Sequence, residues 1–225
     1  MFALLVPATS NAQQDRKHDD WASLERYREA NAALPPPVPG EKRVVFMGDS
    51  ITEGWARFFG SEFPGKPYVN RGISGQTTPQ MLVRFRQDVI DLHPAVVVIL
   101  GGVNDIAGNT GPETPEMIEN NLMSMIDLAR ANGIAVVLCS VLPANRFPWR
   151  PDLAPAQDIV RLNTWMQNYA TKHRLTWVDF HSAMADERQG LPAALSADGV
   201  HPNESGYRVM APLVERGIAK ALRQR

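Results

Sequence analysis

The chain has 225 residues, of which 44% are hydrophobic and 21% are charged, and its formal net charge is −1. This length and composition suit one α/β domain with a buried core. The chain contains no block of lysine and arginine, which argues against nucleic acid or an anionic membrane surface as the main partner, because both need clustered positive charge. The single cysteine, Cys139, excludes an intrachain disulfide and lies in an apolar run, where a buried thiol is expected.

The first residues have features of a secretory leader. Phe2–Ala8 is a short apolar stretch, and residues 10–12 (Ser-Asn-Ala) resemble a signal-peptidase site. The first basic residue is Arg16, so two alternatives stay open: a signal peptide whose basic start is absent from this sequence, or a merely hydrophobic leader. We favour the first and expect a secreted or periplasmic protein. The stretch is too short to span a membrane, and we assign residues 1–15 to the leader and residues 16–225 to one domain.

Hydrophobic periodicity predicts alternating helices and strands along the rest of the chain. A first helix is predicted from Asp20 to Ala33, before a run of three prolines. Short apolar runs predict five strands, at Arg43–Met47, Tyr68–Val69, Ala95–Leu100, Ile134–Ser140 and Leu175–Asp179. Apolar residues at three- and four-residue spacing predict four further helices, at Thr77–Ile90, Pro115–Ala131, Pro155–His173 and Ser205–Arg223.

The order of these elements indicates the fold class. Thr114 before Pro115 is typical of a helix start, and Asn132 with Gly133 is typical of a helix stop. Strands that alternate with helices favour a parallel sheet covered on both faces. The sequence therefore predicts a three-layer α/β/α fold with a parallel sheet of about five strands in a flavodoxin-like order. The proline-rich segment Pro143–Pro155 is interpreted as a surface loop.

Polar, glycine-bearing segments follow the predicted strands. The segments are Gly48-Asp49-Ser50 after the first strand, Asn70–Gly75 after the second, Gly101–Asp105 after the third, and Asp198–His201 between the fifth strand and the last helix. Open parallel sheets form their sites outside the carboxyl ends of the strands. We therefore expect the four segments to converge on one rim.

The residue types in these segments suit acyl transfer. A serine hydroxyl is a weak nucleophile until a base takes its proton, and a carboxylate orients that base. Ser50 is the candidate nucleophile, His201 the base and Asp198 its partner. The developing oxyanion needs preorganised donors, for which we propose the backbone N–H groups of Ser50 and Gly72 and the carboxamide of Asn104.

The four segments resemble the four sequence blocks of the SGNH hydrolases, also called GDSL-like esterases. The resemblance runs in the family's order from Lys42 to Tyr207, with Ile51 where the family often has leucine. The segments around Ser50 and Gly72 are most similar to platelet-activating-factor acetylhydrolase-like proteins and bacterial carbohydrate acetylesterases. The resemblance implies the SGNH hydrolase fold and hydrolysis of short acyl esters through an acyl-enzyme, without a metal or a cofactor.

Each candidate also has a purely structural interpretation. Ser50 could be only a helix N-cap, Gly72 a turn glycine and Asn104 an Asx-turn residue, but their combination favours the catalytic set. Asp105 is expected to hold the Asn104 turn by hydrogen bonds, and Asp49 is expected to serve loop structure more than chemistry. His181 is the one other histidine expected on the same rim.

Five residues are candidates to line a pocket, although core or loop packing is the commoner role for aromatic side chains. They are Asp49, Trp55, Phe147, Trp149 and His181. Gly60–Lys66 has the glycine–lysine spacing of a phosphate-binding loop, but Pro67 stands where that loop needs serine or threonine, so we interpret it as an ordinary loop. No motif for a metal site is found.

Three functions remain open from the sequence. The leading hypothesis is an esterase acting on short acyl esters of small molecules, with acetylated carbohydrate as a candidate substrate. The alternatives are a lysophospholipase or thioesterase on longer chains, and a non-catalytic binding module on the same scaffold. The alcohol half of the substrate and the oligomeric state are not determined by the sequence.

Overall fold

The computed structural model describes residues 20–224, and its centre is a parallel β-sheet. The five strands are β1 Val44–Gly48, β2 Tyr68–Gly72, β3 Val96–Leu100, β4 Ala135–Cys139 and β5 Thr176–Val178. They are paired in the order β2-β1-β3-β4-β5, and every pair is parallel. This is the flavodoxin-like order, so the predicted fold class is confirmed.

Nine α-helices and two short 3-10 helices accompany the sheet within the described residues. They are α1 Arg28–Ala33, α2 Ser50–Trp55, α3 Phe59–Glu62, α4 Thr78–Asp88, α5 Val103–Ile106, α6 Pro115–Ala131, α7 Ala156–His173, α8 Phe180–Met184 and α9 Glu204–Arg223. Helices α4, α6 and α7 pack side by side on one face, and α2 and α9 pack on the other. The sheet is therefore the middle of three layers, and strands buried on both faces need the continuous apolar runs from which they were predicted.

Helix α6 illustrates how local sequence sets an element. It begins after Thr114, whose hydroxyl accepts a hydrogen bond from Met117 N, and it ends at Ala131, followed by the C-cap Asn132 and by Gly133. Gly133 has a φ of +67°, the left-handed conformation that glycine adopts at helix ends. Both predicted boundaries of α6 are confirmed, because caps and punctuating residues act within a few positions of the chain.

The first predicted helix is much shorter than expected. Residues 20–27 form turns, and only Arg28–Ala33 is helical. The carbonyls of Ala22 and Trp21 accept hydrogen bonds from the side-chain amides of Gln76 and Gln80, which hold this segment against the start of α4. Ser23 also has a φ of +56°, which a right-handed helix excludes. The prediction of a helix over Asp20–Ala33 is wrong in its first half.

Strand β2 is longer than the predicted Tyr68–Val69. It pairs in register with β1 as far as Gly72, which lies opposite Gly48. Because Asn70 and Arg71 are polar, this half of the strand is not part of an apolar run and was not predicted. The extension decides where the following turn begins.

Two further predictions concern the ends and the surface of the chain. The predicted leader, residues 1–15, lies outside the described residues, so the predicted secretion and the start of the domain at Arg16 stay predictions. No helix between residues 20 and 224 is both long and apolar enough to cross a membrane. Pro143–Pro155 contains no helix or strand, as expected.

Helix α2 lies so close to β2 that Gly72 has no room for a side chain. A Cβ at Gly72 would be 2.1 Å from the backbone nitrogen of Glu53 and 2.6 Å from the carbonyl carbon of Thr52. Backbone atoms of a helix cannot yield individually, so any side chain there must displace α2 from the sheet.

We predict that Gly72→Ala lowers the free energy of unfolding by about 1–3 kcal/mol, the usual cost of overpacking. Gly60→Ala is the matched control, since nothing lies within 4 Å of its Cβ position and its φ is ordinary. The free energy of unfolding in urea measures both changes. Equal stability of the two variants would contradict the packing of α2 on β2.

Candidate active site

Three side chains from distant parts of the chain form a hydrogen-bonded series at the carboxyl edge of the sheet. Ser50 begins α2 directly after β1, and its Oγ lies 2.9 Å from His201 Nε2. His201 Nδ1 lies 2.7 Å from Asp198 Oδ2. The structure therefore brings the predicted nucleophile, base and carboxylate into contact in the order that the chemistry requires.

The loop before α9 holds Asp198 in place. Its Oδ1 accepts hydrogen bonds from the backbone N–H groups of Val200 and His201, at 2.9 and 2.8 Å, and from the Ser196 hydroxyl at 3.1 Å. Partial burial would raise the pKa of Asp198, but these bonds and the one from the His201 ring outweigh it and lower the pKa to about 2. The ionised carboxylate favours the tautomer with a proton on Nδ1, which leaves the Nε2 lone pair directed at Ser50.

Asn104 lies in α5, directly after β3, and its side chain is almost fully buried. Its Nδ2 donates to the carbonyl of Gln76 at 2.9 Å, and its Oδ1 accepts from Asn109 Nδ2 at 2.9 Å. A carboxamide nitrogen carries two hydrogens, so one remains for a ligand. The backbone N–H of Ser50, at the first position of α2, has no hydrogen-bond partner among the residues described.

Gly72 does not have the role that the sequence suggested. Its backbone N–H donates to the Asn70 side-chain oxygen at 2.9 Å, and the residue is buried inside β2 under α2. The N–H is therefore committed within the protein, and the assignment of Gly72 as an oxyanion donor is wrong. The error follows from the length of β2, because a strand ending at Val69 would have left Gly72 in the turn.

Gly75, and not Gly72, is the glycine in the turn after β2 whose backbone N–H is available to a ligand. It lies in the turn after β2 with a φ of +77°, and its carbonyl accepts from Asn109 Nδ2 at 3.3 Å. Its backbone N–H makes no hydrogen bond to any residue from 20 to 224. The same Asn109 binds Asn104 Oδ1, so the turn at Gly75 and the Asn104 carboxamide are held side by side.

A buried arginine links the two loops that carry these groups. Arg84 of α4 has no solvent exposure, and it donates from Nη2 to the Gly48 carbonyl at 2.9 Å and from Nε to Gln76 Oε1 at 2.5 Å. Asp88, equally buried, accepts from Nη1 at 3.0 Å. The sequence analysis missed this pair, although two opposite charges four residues apart on the apolar side of a predicted helix were a detectable signal.

A cavity of about 360 Å³ opens beside the Ser50 hydroxyl and the His201 ring. Its wall is polar and apolar in similar measure and includes Glu53, Arg57, Ser74 and Tyr207. Glu53 is tied to Arg26 and to the Ser74 hydroxyl and backbone N–H.

The predicted pocket aromatics are only partly found at the site. The Trp149 ring is 40% exposed, and its centre lies 6.2 Å from that of the His201 ring. Phe147 is buried beneath Trp149 and stacked on it. Trp55 is 1% exposed and stacks on Tyr207 inside an aromatic cluster, so the prediction that it lines a pocket is wrong. Its large apolar surface is used for the core.

Asp49, Asp105 and His181 are buried groups close to the rim. The Asp105 side chain accepts from the backbone N–H and hydroxyl of Thr78 at the start of α4, so its role is structural, but it does not hold the Asn104 turn as expected. Burial and the nearby Glu113 charge raise the pKa of Asp105 to about 7. His181 does not line the cavity beside Ser50, and burial lowers its pKa. Within the described part of the chain, no three His, Cys, Asp or Glu side chains could hold a metal ion together.

Asp49 caps α2 through its Oδ1, which accepts from Ile51 N at 2.9 Å. Its Oδ2 is buried and has no partner among residues 20–224. Burial raises the pKa of Asp49 to about 6, because a carboxylate without enough partners is disfavoured away from water. The structure therefore supports capping as the role of Asp49 rather than a position on the pocket wall.

We predict that Asp49→Asn changes how stability depends on pH. A raised folded-state pKa means that the contribution of Asp49 is fully present below the unfolded pKa of about 3.9 and is lost as pH rises through about 6, a loss on the order of 2–3 kcal/mol. The variant keeps the acceptor for Ile51 N but cannot ionise, so its stability relative to wild type should rise between pH 4 and 7. Urea unfolding measures this difference, with the exposed Asp127→Asn as control. If the difference in free energy of unfolding between variant and wild type is the same at every pH, the pKa of Asp49 is not raised by burial.

Comparisons with known proteins identify the family. The model of the GDSL-like lipase/acylhydrolase family matches residues 46–209, most of the chain. A solved GDSL-like lipase from Bacteroides thetaiotaomicron is 46% identical and superposes with a TM-score of 0.86, covering 89% of this chain and 99% of that one. An acetylxylan esterase of Xylanibacter ruminicola is 26% identical over 83% of this chain, which spans 45% of that protein's length. Esterase TesA of Pseudomonas aeruginosa is 29% identical over 73% of this chain and 78% of its own length. The chain belongs to the GDSL-like lipase/acylhydrolase family.

Proposed function

We propose that the protein is a serine ester hydrolase that uses Ser50, His201 and Asp198 as its catalytic triad. The observation that carries the proposal is the hydrogen-bonded series from Ser50 Oγ through the His201 ring to Asp198 Oδ2, at 2.9 and 2.7 Å. A nucleophile within hydrogen-bond reach of a base, which a third group orients, is the arrangement that nucleophilic catalysis needs. The alternative of a non-catalytic binding module gives no reason for this alignment.

The reaction follows from the geometry. Ser50 Oγ attacks the ester carbonyl carbon while His201 Nε2 takes the hydroxyl proton, and Asp198 stabilises the resulting imidazolium. The tetrahedral intermediate collapses with loss of the alcohol, whose oxygen receives the proton from His201. Water then attacks the acyl-enzyme with His201 again as the base, and Ser50 is regenerated as the carboxylic acid leaves.

Three donors are proposed to stabilise the oxyanion of the tetrahedral intermediate. They are the backbone N–H of Ser50, the backbone N–H of Gly75 in place of Gly72, and the remaining Nδ2 hydrogen of Asn104. The N–H groups of Ser50 and Gly75 make no hydrogen bond within residues 20–224. Asn109 bonds to both Gly75 and Asn104 and so holds these two residues side by side. Fixed donors cost no reorganisation when the charge develops, which is why such donors accelerate acyl transfer.

Short acyl groups, such as acetyl, are proposed as the preferred substrates. The cavity beside Ser50 is bounded by polar side chains, including Glu53 and Arg57, which disfavour a long hydrocarbon chain because it would leave them desolvated. Similarity to an acetylxylan esterase supports acetylated carbohydrate as the substrate class. A lysophospholipase or thioesterase acting on longer chains is the alternative within the same chemistry.

The first test is hydrolysis of p-nitrophenyl esters of two to sixteen carbons. We expect acetyl and butyryl esters to give the highest kcat/KM. Ser50→Ala should lower kcat by roughly 10³-fold or more, the scale for loss of a nucleophile, without altering the melting temperature. Preference for the palmitoyl ester would favour the lysophospholipase alternative, and a Ser50→Ala variant with more than a tenth of wild-type activity would disprove the triad.

Asn104→Ala should lower kcat by about 10²–10³-fold with a smaller effect on KM, because an oxyanion donor acts mainly in the transition state. Steady-state kinetics with p-nitrophenyl acetate measure the two constants. The exposed Asn168→Ala, in α7, is the matched control and should retain both. An effect confined to KM would instead make Asn104 a substrate-binding residue.

Asp198→Asn should lose more activity than Asp198→Ala. An asparagine amide can donate to Nδ1 and hold the proton on Nε2, the tautomer that cannot accept from Ser50, and in serine proteases this change costs about 10⁴-fold in kcat. In Asp198→Ala, water can accept from Nδ1 and leave the productive tautomer accessible. The kcat of both variants measures the difference, and equal losses would argue against control of the His201 tautomer by Asp198.

A further inference from the structure

A second cavity lies on the same rim, where α4 and α6 begin, and no residue of the proposed catalytic set lines it. Its volume is about 360 Å³. Its wall combines apolar residues with polar ones: Trp21, Pro79, Pro112 and Met117, and Thr110, Glu113, Asn120 and Asn121. The Trp21 side chain is 45% exposed, although it is one of the largest apolar groups of the chain. An exposed aromatic ring with apolar neighbours and a few polar groups is typical of a binding site rather than of packing.

The turn at Asn109 and Thr110 connects this cavity to the candidate active site. On one side, Asn109 donates to Asn104 Oδ1 and to the Gly75 carbonyl. On the other side, the Thr110 hydroxyl lines the second cavity and bonds to Thr77 Oγ1 at 2.9 Å. The second cavity is therefore separated from Asn104 and Gly75 of the candidate active site by this two-residue turn.

A second exposed tryptophan marks the active-site side of the turn. Trp149 Nε1 donates to Asn109 Oδ1 at 3.3 Å, and the ring of Trp149 lies beside His201. Two exposed indole rings therefore flank the turn, one next to the proposed base and one in the second cavity. An extended molecule with flat apolar faces could contact both.

The charge and polarity of the cavity restrict the chemical class of its ligand. Among the described residues that line it, Glu113 is the only ionisable one, so phosphate and other anions lack a cationic partner. A hydrocarbon chain in the cavity would take the Glu113 carboxylate and the Asn120 amide out of water without giving them hydrogen bonds, which is costly. A neutral sugar ring fits both features, since its C–H face can stack on an indole and its hydroxyls can bond to carboxamides.

We propose that the cavity around Trp21 is a secondary saccharide-binding site, which holds a distant sugar of an acetylated oligosaccharide while the ester lies at Ser50. This inference rests on the proposed esterase function and specifies its substrate as a chain of several neutral sugars. The site would contribute binding energy from a part of the substrate remote from the reacting ester.

The test compares acetylated xylo-oligosaccharides of two to six sugars with p-nitrophenyl acetate, which is too small to reach Trp21. In the wild type, kcat/KM should rise with oligosaccharide length. Trp21→Ala should lower kcat/KM for the longest substrate by roughly tenfold, the equivalent of about 1.4 kcal/mol of lost stacking and burial. It should leave p-nitrophenyl acetate hydrolysis unchanged, and Trp21→Phe should restore part of the loss.

Val83→Ala is the matched control, since Val83 is also an exposed apolar residue but does not line the cavity. Titration of each variant with unacetylated xylohexaose adds a readout independent of catalysis, in which wild type should bind more tightly than Trp21→Ala. Melting temperatures identify any variant that loses its fold. If Trp21→Ala does so, Trp21→Phe is compared with wild type in both assays instead.

The outcomes separate this inference from the function on which it rests. If wild type hydrolyses p-nitrophenyl acetate but shows no dependence on oligosaccharide length, the saccharide site is wrong and the esterase proposal stands. The same holds if Trp21→Ala impairs all substrates equally, or impairs none. If wild type hydrolyses none of the esters, the proposed function itself fails.

Discussion

The Arg84 guanidinium is buried where the end of β1 meets the turn after β2, and its hydrogen bonds set the distance between these segments. It holds the Gly48 carbonyl, two residues before Ser50, and the side chain of Gln76, next to Gly75. A buried cation is costly unless it is paired and fully hydrogen-bonded, and Asp88 supplies the opposite charge. The network is therefore satisfied only when both segments are in place. The proposed nucleophile and one proposed oxyanion donor are consequently positioned by a side chain that touches neither.

Close packing completes this arrangement on the other face of the sheet. Helix α2 approaches β2 because Gly72 has no side chain, and this contact fixes where Ser50 leaves the sheet. Helix α9 is joined to α2 by the Tyr207 hydroxyl, which donates to the Ile51 carbonyl at 2.8 Å, while its own start carries the loop with Asp198 and His201. These two contacts with the backbone of α2 thus help to bring together Ser50 and His201, which lie 151 residues apart in the chain.

Much of the fold and of the candidate site could be predicted from local patterns. The apolar runs at β1, β3 and β4 and the capped helix α6 need only neighbouring residues for their identification. The predictions for Gly72 and Trp55 were wrong because both depend on contacts between distant segments. Strand β2 continues through polar Asn70 and Arg71 only because β1 lies beside it, and Trp55 is covered by Tyr207 from the far end of the chain.

Residue types and their spacing along the chain were enough to predict the order of strands and helices, the family resemblance and the candidate triad of Ser50, Asp198 and His201. Contacts between distant segments were needed to show which glycine N–H lacks a hydrogen bond within residues 20–224, which aromatic side chain is exposed beside His201, and that Arg84 joins two segments of the candidate site. Hydrogen-bond commitment and burial are properties of a residue's surroundings in space. Those surroundings come from segments that the local sequence does not contain.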